Sequence, residues 1–290
     1  MSAAAGPHGP RLPPPYRLLA LDSVASTMDE ARRLAEEGAE EGTLVWAREQ
    51  RGGRGRLGRN WYSPRGNLYF TLILRPGRIS VLPIVEDHVR LVDEPSRRQP
   101  VDTDTALQFL LQALAAVALG EAIGTVSPPV EVTYKWPNDV LLQGSKVAGI
   151  LLESRAASEE RLAYLLLGCG VNVAHFPQDP ELKATSMHFE GVPKSVTPEE
   201  LLGAFSRHVL SRVSRRVEDG FEAIRRAWLR HAAGLGEEIL VRLPHEVLKG
   251  RFRDLDQEGY LLLEMADGEE RRISSGEVFL TERKHAAGDR

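Results

Sequence analysis

The chain has 290 residues, 42% of them apolar, and a formal net charge of −4. That suffices for one large domain plus a small one around a substantial core. It excludes a polycation built to coat nucleic acid, while leaving room for local basic patches. The single cysteine, Cys169, excludes an intramolecular disulfide and fits a reducing compartment.

In chain order, residues 1–15 (MSAAAGPHGPRLPPP) carry no apolar run of signal-peptide length and are rich in Pro and Gly. A disordered leader is expected there, with the cytoplasm as the default compartment. No stretch reads as a membrane span of ~20 apolar residues. Structure is expected from Tyr16–Asp22. Thr27-Met-Asp-Glu30 reads as a capping box opening a helix to about Gly38, with Met28, Ala31, Leu34 and Ala35 buried. Thr43–Arg48 and Leu68–Leu74 read as strands on either side of a Gly/Arg loop. Residues 77–104 mix short apolar pieces with charges and prolines, which predicts a mobile insertion or a small added hairpin. Ala106–Ile123 predicts an apolar helix.

Val130–Trp136 predicts a strand, and Asn138–Leu142 with Lys146–Glu153 a hairpin about Gln143-Gly-Ser145. Arg161–Val173 predicts a core strand broken at Gly168 and Gly170. Thr197-Pro-Glu-Glu200 is a second capping box, starting a helix towards Glu218, and Phe221–His231 another helix. After Gly236, short runs at Glu238–Leu243, Leu248–Leu255, Tyr260–Met265 and Glu270–Ser274 alternate with turn residues, as in a small β-barrel. The domain reading is therefore 16–235 for the main unit, 236–282 for the barrel and 283–290 for a polar tail.

Four segments carry chemistry. Gln50-Arg-Gly-Gly-Arg-Gly-Arg-Leu-Gly-Arg59 combines glycines, which let backbone N–H groups approach a ligand, with arginines, whose forked donors suit phosphate and carboxylate. An RNA-binding RGG-like segment is nearly as good a reading of its composition, and its strand-flanked setting favours a ligand loop. Gly53, Gly55 and Gly58 spell G-x-G-x-x-G, but the loop opens no helix, so the dinucleotide fingerprint does not apply. Tyr134-Lys-Trp-Pro-Asn-Asp-Val140 places Lys135, Asn138 and Asp139 where they suit a nucleotide and its Mg²⁺; alone, it reads more simply as an Asn-Asp turn. Lys146-Val-Ala-Gly-Ile150 sets a lysine beside small residues. Gly168-Cys-Gly-Val-Asn172 puts glycines in a strand, which admits close approach, with Cys169 as a small core residue. The eight histidines show no metal spacing.

In this order, Ser26-Thr27, GGRGRLGRNW, YKWPNDV, KVAGIL, GCGVN and Ile273-Ser-Ser-Gly-Glu-Val278 resemble the biotin–protein ligase family, over residues 16–282 apart from 77–104. The resemblance implies an α+β fold: a mixed sheet flanked by helices, akin to class II aminoacyl-tRNA synthetase domains, followed by a small SH3-like barrel. It implies that Ser26, Thr27, Gln50, Gly53, Arg54, Lys146, Gly149 and Gly168 surround biotin. It assigns Arg56, Arg59, Trp61, Lys135, Asn138 and Asn172 to the nucleotide and Asp139 to Mg²⁺, with Arg56, Lys135 and Lys146 closest to the chemistry. Two departures stand out: the longer segment before the Ala106 helix, and Cys169 where a small apolar residue is usual.

The activity implied is ATP-dependent formation of biotinyl-5′-AMP and transfer of biotin to a lysine of a biotin carboxyl carrier protein, with a homodimer as an open alternative. A lipoate or octanoate ligase and a nucleic-acid-binding module are the rival readings. Fifteen residues before Tyr16 leave no room for a helix-turn-helix recognition helix, so an enzyme of the single-function type, binding neither DNA nor membrane, is expected.

Overall fold

The computed structural model describes residues 9–75, 103–158, 161–214 and 220–281. Seven strands form the main sheet: β1 (Arg17–Leu21), β2 (Thr43–Ala47), β3 (Leu68–Leu74), β4 (Val132–Lys135), β5 (Asp139–Leu142), β6 (Ser145–Ser158) and β7 (Arg161–Val171). Their spatial order is β1-β2-β3-β7-β6-β5-β4, with β1–β2 parallel and the other pairs antiparallel, so the sheet is mixed as expected. Around it lie α1 (Thr27–Glu36), α2 (Thr103–Val126), α3 (Pro198–Ser214) and α4 (Gly220–Leu229).

Strand alternation divides the sheet into two faces. Phe70, Leu72 and Leu74 of β3, Leu165, Leu167, Cys169 and Val171 of β7, Ile150 of β6 and Val140 of β5 join the large core beneath α2, α3 and α4. Residues one position away point to the opposite face. There Ile73, Tyr164 and Leu166 pack with Met28, Ala31 and Ala35 of α1 in a smaller cluster. Thr71, Gly168, Gly170, Gly149 and Asp139 lie on this same face, beside and beyond α1.

The helix α2 is apolar nearly all round because it lies between the sheet and α3. By length and composition Leu107–Val126 is apolar enough to cross a membrane, which corrects the expectation that no stretch approaches a span; 72% of that window is buried inside the protein. A helix hydrophobic on all sides fits a buried core helix as well as a span.

The second sheet is antiparallel, in the order β11-β10-β9-β8-β12, from β8 (Glu238–Arg242), β9 (Val247–Leu255), β10 (Leu261–Glu264), β11 (Glu270–Ile273) and β12 (Glu277–Leu280). Four of these strands match the expected runs, and β12 is an added fifth. The sheet docks through Trp136, whose Nε1–H donates to the Gly259 carbonyl at 3.1 Å, and through Arg225, which donates to Leu255 O at 2.7 Å and pairs with Asp254 at 2.6 Å.

Other expectations need correction. β7 runs unbroken through Gly168 and Gly170, because both neighbouring strands supply ladder partners there. Ser26, not Thr27, caps α1: its hydroxyl accepts from Met28 N at 3.3 Å. Thr27 is unavailable as a cap because its own groups are bonded to Gln50, and Glu30 pairs with Arg33 instead of reaching back. The box at Thr197–Glu200 is reciprocal as expected, with N–H···O distances of 3.0 and 3.2 Å. Most of 77–104 (76–102), the end of the helix towards Glu218 (215–219) and the 283–290 tail lie outside the described residues.

Candidate functional site

Sheet register assembles the floor. Asp139 of β5 lies opposite Gly149 of β6, Gly149 opposite Gly170 of β7, and Gly170 opposite Tyr69 of β3. Next along, Gly168 lies between Leu151 and Thr71. Two segments distant in sequence, KVAGI and GCGVN, thus become neighbours across one strand pair. Their glycines are required by approach. A Cβ at Gly168 would stand 2.7 Å from the Met28 sulfur, one at Gly149 3.1 Å from Trp61, and one at Gly170 would overlap the Trp61 indole.

At one side of this floor Asp139 holds two lysines. Lys146 Nζ lies 2.6 Å from Oδ1 and Lys135 Nζ 3.2 Å from Oδ2. Burial works against the Asp139 carboxylate's charge, but the two ammonium groups outweigh it and keep its pKa below the ordinary range. Lys146 also lies 5.4 Å from the Trp61 ring centroid, within cation–π range. Asn138 donates from Nδ2 to Ile150 O at 2.6 Å, which aims its Oδ1 at the loop. Asn172 donates from Nδ2 to Thr185 O at 3.0 Å.

The opposite wall comes from the start of α1 and the end of β2. Gln50 Oε1 accepts from Thr27 N at 2.8 Å and from the Thr27 hydroxyl at 3.0 Å, Thr71 donates to Thr27 at 3.0 Å, and Gln50 Nε2 donates to Ser63 at 3.1 Å. Ser26 and Thr27 are both buried. A cavity of about 360 Å³ opens at the base of the loop, between Gln50–Gly53 and Trp61–Ser63.

The arginine loop closes over this arrangement by three separate tethers. Arg54 Nη2 lies 2.8 Å from Asp29 of α1 and 3.5 Å from Glu153 of β6, and Arg32 pairs with the same two carboxylates. Arg56 donates to Asn138 Oδ1 at 3.2 Å; burial lowers its affinity for a proton, with nearby Asp139 opposing. Arg59 makes a two-pronged pair with Glu277 of β12, at 2.6 and 2.8 Å. At the tip Leu57 takes a left-handed φ of 57° and is 80% exposed. Within the loop, Trp61 N donates to Gly53 O at 2.9 Å, and no room for a side chain exists at Gly53.

The structure thus gathers Ser26, Thr27, Gln50, Gly53, Lys135, Asn138, Lys146, Gly149, Gly168 and Asn172 around one floor, with Arg54, Arg56, Arg59 and Trp61 above. Sequence reasoning missed Gly170, Thr71 and the loop's carboxylate partners Asp29, Glu153 and Glu277. Gly170 stood in a quoted motif, and its alternation with Gly168 was the available signal. Asp29 and Glu153 carried none. Cys169 faces the core, where burial pushes its thiol up to about 12, which suits packing and not nucleophilic chemistry.

Residues 20–93 and 99–230 match the Biotin/lipoate A/B protein ligase family, and residues 234–281 match the Biotin protein ligase C terminal domain. The biotin--[acetyl-CoA-carboxylase] ligase of Paracoccus denitrificans is 36% identical over 88% of this chain and 96% of its own length. The bifunctional ligase/repressor BirA of Bacillus subtilis is 34% identical over 89% of this chain and 72% of its own. Among solved structures, the Aquifex aeolicus biotin protein ligase in complex with biotin and ATP superposes with a TM-score of 0.67 at 27% identity, covering 90% of this chain and 97% of that one.

Proposed function

The chain belongs to the biotin protein ligase family and is a biotin protein ligase; on that premise we propose how its own residues divide the reaction. Biotin and ATP yield biotinyl-5′-AMP and pyrophosphate, and biotin then passes to a lysine of a biotin carboxyl carrier protein. The observation that carries this reading is the glycine floor flanked by the Lys146–Asp139–Lys135 clasp beneath three arginines.

Biotin is assigned to the side bounded by Ser26, Thr27, Gln50, Gly53, Arg54, Lys146, Gly149 and Gly168. Its carboxylate is ionised at neutral pH, since such acids titrate near ~4, so it attacks the α-phosphorus without a general base. What the protein supplies is proximity of two anions and donors for the charge that develops on the α-phosphate and leaving-group oxygens. Lys146 is assigned to the biotin carboxylate, and Arg56, Arg59, Lys135 and Asn138 to the nucleotide. Trp61 and Asn172 belong with them: Trp61 Nε1 and Asn172 Oδ1 are buried without hydrogen-bond partners, a donor and an acceptor left for a ligand. In the second step the acceptor ammonium loses a proton, its amine attacks the acyl carbon, and AMP leaves.

Asp139 does not fit as a metal ligand. Both its oxygens face lysine ammonium groups, and among the described residues no cluster of three or more His, Cys, Asp or Glu is arranged for a metal. The assignment of Mg²⁺ to Asp139 is therefore replaced by one in which Asp139 positions Lys135 and Lys146; the divalent ion enters with ATP as part of the substrate. The proposed compartment is the cytoplasm.

The test is ATP–pyrophosphate exchange with biotin, lipoate and octanoate offered separately. Exchange is expected with biotin; exchange with lipoate or octanoate and none with biotin would overturn the reading.

A further inference from the structure

Three of the loop's four arginines, Arg54, Arg56 and Arg59, are each held by a partner within the chain, and the partners differ in kind. Arg56 meets a neutral amide, and Arg54 meets carboxylates that Arg32 also neutralises. Arg59 meets Glu277, through two parallel N–H···O contacts. That fork geometry is the one guanidinium uses towards phosphate. We propose that Glu277 is a positioning residue for the nucleotide step: it occupies Arg59 in place of a phosphate, yields Arg59 when ATP binds, and recaptures it as pyrophosphate leaves.

Three observations support this. First, Glu277 lies in the field of the nucleotide-side cations: Arg59 and Lys135 both act on its charge, as does Arg242 of β8, its register partner, and Glu277 in turn acts on Arg56. A fixed carboxylate there both competes for Arg59 and repels an arriving triphosphate, two effects of the same sign. Second, the pair is exchangeable. Its side chains are 58% and 25% exposed, and a solvated ion pair is worth little, so phosphates can displace it. Third, docking the second sheet does not depend on it. Trp136 to Gly259 and Arg225 to Leu255 and Asp254 fasten that sheet independently. Glu277 sits at the start of β12, whose pairing with β8 keeps the carboxylate in place.

The proposal rests on the assignment of Arg59 to the nucleotide, and the experiment separates the two. Calorimetric Kd values for ATP, pyrophosphate and biotin, with steady-state KM for ATP, are measured on the full chain and on Glu277→Gln, Arg59→Ala and the double variant. Glu277→Gln is expected to tighten ATP and pyrophosphate by about two- to fivefold, the range of an exposed ion pair, to make pyrophosphate a stronger inhibitor, and to leave biotin binding and Tm unchanged. In the Arg59→Ala background the same substitution is expected to have a smaller effect. ATP binding that is unchanged or weakened in Glu277→Gln, or an equal effect with and without Arg59, would overturn the proposal. Wild-type ATP affinity in Arg59→Ala would overturn the assignment of Arg59 itself.

Discussion

The floor and the arginine loop of this site are built by opposite means. Floor residues are placed by strand register: Asp139, Gly149 and Gly170 are adjacent because three strands pair in one alignment, and a single-residue slip would turn all of them to the other face. Loop residues are placed by side-chain tethers to α1, β6, the turn before β5 and β12, most of them ion pairs that solvent reaches. The floor is therefore rigid before any ligand arrives. The loop carries its cations in contacts that a stronger anion can replace. Division between a fixed wall and an exchangeable cover suits a reaction whose acyl-adenylate must be kept from water and then presented to a protein.

Substitutions in the floor should be costly in both stability and activity, and the largest effect is expected at Asp139. Asp139→Asn leaves two lysines without their shared counter-charge, so stability should fall by about 3 kcal/mol and pyrophosphate exchange by about two orders of magnitude. Denaturant unfolding and exchange assays check this; a loss of activity without loss of stability would show the clasp to be less rigid than the register implies. The pH dependence follows from the same contact. Asp139 has its pKa lowered in the folded state, so its contribution is fully present above the ordinary unfolded value of ~4 and lost as pH falls through the lower folded value. Between pH 8 and 5, Asp139 should add no slope to stability.

Lys146→Ala should chiefly weaken biotin binding, by about tenfold or more, because a buried carboxylate loses its cation. Wild-type biotin affinity by calorimetry would remove Lys146 from that role. Gly168→Ala sharpens the comparison further, since the added methyl meets the Met28 sulfur at 2.7 Å. A loss of about 1–2 kcal/mol is expected from crowding, read as a lowered Tm.

In the loop the pattern should invert. Arg56→Ala is expected to slow adenylate formation by about 1.5–3 kcal/mol of lost charge-assisted contacts, while Tm stays within about a degree of wild type because little packing is removed. A variant that unfolds early yet transfers biotin normally would reverse the distinction between loop and floor. The smallest effect concerns nucleic acid. Because Arg54, Arg56 and Arg59 are already engaged within the chain, gel shifts with duplex DNA should give only weak, salt-sensitive binding without sequence preference. Tight binding that survives excess competitor would contradict it.

How much of this was legible in the sequence differs between the same two regions. The motifs YKWPNDV, KVAGI and GCGVN were visible singly, and YKWPNDV alone read more simply as an Asn-Asp turn. Their order along the chain carried the family resemblance. The hairpin turn at Gln143-Gly144, read from sequence one residue too long at Gln143–Ser145, the buried run Leu68–Leu74 and the box at Thr197–Glu200 were readable because each depends on neighbours within a few positions. Thr27 was misread for the complementary reason: locally it is a good cap, and only Gln50, 23 residues away, claims its hydroxyl.

The residue types for anion binding, the glycines that a close approach demands and the periodicities of helix and strand were thus determined by the sequence itself, because local backbone preference and alternation act over short spans. Which residues line the sheet face opposite the large core, that Asp139 gathers two lysines, and which carboxylates hold the arginines were decided by the tertiary structure alone. Arg56 and Asn138 are 82 residues apart and Arg59 and Glu277 are 218 apart. Contacts at such separations exist only once strand register and the docking of the second sheet have brought the chain together, and no local signal encodes them.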